Sequence, residues 1–182
     1  FVNALNGPRW GELIEEPGDH FELVMGPFSP SSPARFHGTD WLMQTIRAGA
    51  IEAKTGNEPA AMTITVEALS VDNGPGLTPY EHPHHDAGLA ADFAIAGGTS
   101  PSRGARLVVA LEDSAYAGVT LQEVVTGDQA FADAINAGRD VPLAAVDVGY
   151  AGMLHVHITP PETSFFPPLP DAVVDEDVNN GL

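Results

Sequence analysis

Hydrophobic and polar positions along the chain fall into short runs of two different periods. At 62–67, Met62, Ile64 and Val66 alternate with Thr63, Thr65 and Glu67, the two-residue period of a strand with one buried face. Residues 89–95 read as a second strand, with Leu89, Ala91, Phe93 and Ile95 on one side and Ala90, Asp92 and Ala94 on the other. Helical spacing governs Trp41, Leu42, Thr45, Ile46 and Ala50, which follow the capping residues Thr39 and Asp40 and predict a helix ending near Gly56. Pro101, behind Ser100, suits the first turn of a second helix whose buried face is Leu107, Val108 and Leu111. A third helix is predicted from Asp128, with Phe131 and Ile135 one turn apart, until Gly138. Residues 143–150 and 153–159 read as a pair of strands joined at 149–152.

The rest of the chain is broken by turn residues. Pro8, Pro17, Pro27, Pro30 and Pro33 interrupt residues 1–38, which predict an irregular extension holding one plausible strand at 21–25. Residues 72–83 hold three prolines and two glycines and predict a loop. From 160 the chain is Pro-rich and then acidic, as in a surface-hugging or flexible tail. The expected organisation is thus an extension (1–38), a domain (39–159) and a tail (160–182). Helices and strands mix without regular βαβ alternation, so the expected class is α+β.

Composition narrows the functions open to such a domain. Asp and Glu number 25 against 7 Lys and Arg, a formal charge of −18. Phosphate contacts need clustered cations, so a nucleic-acid partner is excluded, and docking on an anionic membrane surface with it. No apolar stretch approaches the ~18–20 residues needed to span a bilayer. No signal peptide is visible, although the chain begins with Phe. The absence of cysteine excludes disulfides, thiolate zinc fingers and cysteine nucleophiles. Such acidity fits work in high salt, where screening removes self-repulsion, or an acidic extracellular protein.

Candidate chemistry lies in the histidines. Five of the seven fall in two clusters, His82, His84 and His85, then His155 and His157. Alternation at 153–158 puts Leu154, Val156 and Ile158 on a core face and Met153, His155 and His157 on the other. A His-x-His on a lone strand usually marks a solvated sheet face. If the strands at 89–95 and 153–158 are neighbours, however, His85, Asp92 and either His155 or His157 converge. Two imidazoles and a carboxylate with an open fourth position make up a catalytic zinc site, suited to amide hydrolysis. The remaining histidine of the pair would lie close enough to act as general base or transition-state donor. Elsewhere, residues 97–104 are glycine-rich but lack a phosphate-loop ending, and the acidic run after Asp175 stops short of a calcium loop.

The segment His85-Asp-Ala-Gly88-Leu-Ala90-Ala-Asp92-Phe fits H-x-x-G-x-A-x-D. It resembles the first motif of the D-Ala-D-Ala carboxypeptidase type of zinc peptidase, whose wider group includes lysostaphin-like enzymes and the hedgehog signalling domain. Met153-Leu-His155-Val-His157, whose His155 lies 63 residues beyond Asp92, is similar to their last motif, and Val148-Gly-Tyr-Ala-Gly152 looks like the glycine-rich approach to it. The resemblance spans residues 61–158. It implies a small antiparallel sheet with helices on one side, Zn2+ held by His85, Asp92 and His155, and His157 assisting the attacking water. Lysostaphin-like relatives would favour His157 as the third ligand.

Three departures stand out. Pro83 replaces the serine before the first histidine, residues 67–76 contain no arginine, and Gly152 occupies the position of the usual acidic base. His157, Glu81 or Asp147 could substitute for that base. The implied function is hydrolysis of peptidoglycan or other peptides at an extracellular, cell-wall or virion-associated location. The alternative is a non-catalytic, metal-stabilised module of a virion or surface layer, with the proline-rich termini as assembly surfaces.

Overall fold

A computed structural model of the chain describes residues 10–16, 20–24, 36–55, 64–69, 85, 87–95, 100–116 and 118–160. The predicted loop at 72–83, His82, His84, Glu81 and the chain beyond 160 lie outside these residues. In chain order the elements are β1 (Trp10–Glu12), β2 (Phe21–Leu23), β3 (His37–Thr39), α1 (Asp40–Thr55), β4 (Ile64–Ala68) and β5 (Ala90–Ala94). Then follow α2 (Pro101–Asp113), β6 (Thr120–Thr126), α3 (Gln129–Asn136), β7 (Ala144–Val146) and β8 (Met153–Thr159). The class is α+β, with three helices among the described residues.

Helix starts follow from local chemistry. The Thr39 hydroxyl accepts the amide of Leu42 at 3.4 Å, closing the first turn of α1. Asp128 accepts the amide of Ala130 at 2.8 Å and caps α3, while α2 opens on Pro101, whose missing N–H costs nothing there. The predicted stripes are the buried ones: Leu42, Ile46 and Ala50 on α1, Leu107, Val108 and Leu111 on α2, Phe131 and Ile135 on α3. They share one core with Ile64, Val66, Ala91, Phe93, Val124, Leu154, Val156 and Ile158 from the sheet. Full burial of a side chain such as Phe93 contributes about 1.5–3 kcal/mol. Leu13, Phe21 and Phe36, from within the predicted extension, join the same core.

Six strands form the main sheet in the order β2-β4-β5-β8-β6-β7, and β1 and β3 pair separately. The expected antiparallel sheet holds only for the four central strands. Both flanking strands run parallel to their neighbours, β2 to β4 and β7 to β6. The pairing expected between 143–150 and 153–159 is also not formed. Ala144–Val146 pairs with β6 instead, and Val148–Tyr150 tightens into a single 3₁₀ turn before β8. The intervening partner, β6, is not among the strands that the sequence pattern predicts. Its pairing to β8 slips between Leu121 and Glu123, so the extra residue spoils the alternation that announces a strand.

Candidate metal centre

β5 and β8 are antiparallel neighbours, and their register pairs Asp92 with His155 and Ala90 with His157. Because side chains alternate, Phe93 and Leu154 point into the core while Asp92 and His155 project together from the opposite face. Ala90, across from His157, is fully buried, and its single methyl leaves room for the imidazole.

The third group arrives by a tight turn. The amide of Gly88 donates to the carbonyl of His85 at 2.8 Å, and Gly88 adopts φ 65°. A β-carbon there would lie 2.3 Å from the Trp10 ring and 2.9 Å from the amide nitrogen of Thr39. Only glycine meets both demands, which gives the motif's glycine its physical reason. The Gly88 carbonyl in turn accepts the Thr39 amide at 3.1 Å and the Thr39 hydroxyl at 2.9 Å, tying the turn to the start of α1.

The result is a compact donor cluster. One ligand-type atom from each of His85, Asp92 and His155 lies within 4.8 Å of the others. His155 Nδ1 stands 2.8 Å from Asp92 Oδ1, and His85 Nε2 stands 3.4 Å from Asp92 Oδ2. The His85 and His155 rings are 5.0 Å apart. His85 Nδ1 meets the Leu69 carbonyl at the end of β4. Donation of that N–H to a backbone oxygen fixes the tautomer and leaves Nε2 facing Asp92, the supporting contact typical of metal-binding histidines.

This is no solvated sheet face: His85, His155 and His157 are 1%, 3% and 5% exposed. The Asp92 side chain keeps 14% exposure. Burial works against its carboxylate, yet hydrogen bonds with His155 and His85 outweigh that penalty and hold its pKa well below the usual carboxylate range. A carboxylate that stays ionised between two imidazoles is a donor set matched to a divalent cation such as zinc. The residues therefore fit a metal ion, and the donors alone do not single out zinc.

Other acidic groups surround the cluster. Glu67, at a register slip between Val66 and Ala68 of β4, has its pKa raised by partial burial and by Asp92. Glu123 on β6 pairs across from His157 and is exposed. Asp147, one of the bases considered from sequence, accepts the Gly149 amide at 2.9 Å and is engaged in capping the 3₁₀ turn.

Tyr150 lies in the glycine-rich segment that leads into His155. Its ring packs 5.2 Å from that of His155 at 49°. Burial, then the charges of Asp92, Asp147 and Glu123, push its pKa up to about 12, so the phenol stays protonated. The signal that could have singled it out is the glycine-flanked turn five residues before His155.

No protein-family model matches the chain, and no curated protein matches it.

Proposed function

We propose that the protein is a zinc-dependent hydrolase of peptide bonds, acting on cell-wall peptides outside the cell or on a virus particle. The observation that supports this reading is the buried His85, Asp92 and His155 cluster, brought together by strand register and a glycine turn. When bound, zinc supplies Lewis acidity and lowers the pKa of coordinated water. The chain's own part is to hold the donors and handle protons. Leu69 orients His85, and Asp92 remains anionic between the two rings. His157, one pleat along β8 from His155, assists the attacking water as base or donor. In the overall reaction, the water oxygen bonds to the carbonyl carbon, the C–N bond breaks and the amine leaves with a proton.

One observation favours a second reading, a metal-stabilised module without turnover. Gly152 stands where the resembled enzymes carry their acidic base. The two separate by experiment. Zinc-loaded protein should release free amino groups from purified peptidoglycan, and His157→Ala should lose that release while keeping its zinc. A fully metallated, soluble wild type that releases none supports the structural module and overturns the hydrolase.

A further inference from the structure

Amide hydrolysis develops negative charge on the carbonyl oxygen and needs a donor placed there beforehand. Residues 67–76, just upstream of the first histidine cluster, contain no arginine to serve as one. The segment just before His155 supplies a different kind of donor.

The backbone holds Tyr150 from both sides. The Asp147 amide donates to the Thr126 carbonyl at 2.9 Å, and the Tyr150 amide donates to the Asp147 carbonyl at 3.0 Å. The Gly127 amide donates to the Tyr150 carbonyl at 2.9 Å. Asp147 also binds the Gly149 amide through its side chain. Gly127 approaches so closely that a β-carbon would lie 2.5 Å from both Ala151 N and Ala151 Cα. A three-residue turn pinned at this many points fixes the backbone from which the ring projects. That ring lies 5.2 Å from that of His155 and is only partly buried.

We infer that the Tyr150 hydroxyl is the hydrogen-bond donor to the carbonyl oxygen under attack. The inference rests on the hydrolase reading above. Tyr150 keeps its proton throughout, since a phenol is neutral at physiological pH and acts here only as a donor. The bonds made and broken are those of the hydrolysis already given, so no further reactant is required.

The test is Tyr150→Phe in the full chain, zinc-loaded, with amine release from purified peptidoglycan as the rate assay. Removing one such donor costs on the order of 10²-fold in kcat. The expected result is that loss, with KM within about threefold because the contact strengthens only as charge develops. Zinc stoichiometry, and the visible spectrum of the cobalt-substituted protein, should match wild type. Full kcat in Tyr150→Phe overturns the inference while leaving the hydrolase reading intact. Loss of zinc or an altered cobalt spectrum overturns it too, since Tyr150 would then be a ligand or a structural prop. A metallated wild type that releases no amine overturns the hydrolase reading, and the inference falls with it.

Discussion

Asp92 concentrates the physics of the site in one residue. It is mostly buried, and burial alone would favour its neutral form, but contacts with two imidazoles keep it ionised. A carboxyl whose pKa is depressed by folding stabilises the folded state in full above its unfolded pKa, near the ordinary 3.8. That contribution is lost as pH falls below this value towards the lower folded pKa. Metal-free wild type should therefore lose stability between about pH 4 and 2 more steeply than Asp92→Asn, as read from urea midpoints across that range. Equal slopes would show that the imidazole contacts do not hold the charge. Alternation and one glycine made the candidates legible, but the choice between His155 and His157 opposite Asp92 depends on the register of β5 against β8, which no local pattern carries. Asp92 and His155 each face away from an apolar set, and Gly88 marks the turn that brings in His85. Tyr150 was not legible, because its turn is held by the Asp147 amide on the Thr126 carbonyl and by the Gly127 amide on the Tyr150 carbonyl, bonds to residues far from it in sequence.

Elements with their own internal signal were the ones that could be read. α2 and α3 follow from Pro101, Asp128 and stripes of buried residues, and β5 follows from its alternation. Pairing partners were not readable, since they depend on residues distant in sequence. Residues 143–150 resembled half of a hairpin because glycines separate them from β8, yet β6 takes Ala144–Val146 as a parallel edge strand. The strand β6 itself was hidden by its register slip. Its end matters for the site, because Gly127 follows it directly and seats the turn carrying Tyr150. Gly127→Ala should force that turn away, since its β-carbon overlaps the Ala151 backbone. Steric insertions of this kind typically cost about 1–3 kcal/mol. The expected outcome is a lower urea midpoint together with reduced amine release, while zinc remains bound through β5, β8 and the His85 turn. Unchanged stability would mean that the contact at Gly127 is not tight.

At the scale of the whole molecule, the fold sets two faces of one sheet to different tasks. The face carrying Phe93, Leu154 and Val156 joins all three helices in the core. The opposite face carries the donor cluster and its acidic surroundings. A net charge of −18 makes self-repulsion a term in stability and opposes approach to anionic polymers at low salt. Both effects fade once the Debye length shrinks to ~3 Å near 1 M salt, so brine or seawater is a setting in which the proposed chemistry can operate. The central claim is that His85, Asp92 and His155 form a metal centre, and metal content tests it most directly. Wild-type protein, equilibrated with zinc and freed of excess, should retain about one zinc ion per chain, as expected for two imidazoles and a carboxylate. Asp92→Ala and His85→Ala, folded by circular dichroism, should retain almost none. A folded wild type without zinc, or variants that hold it equally well, would contradict the account.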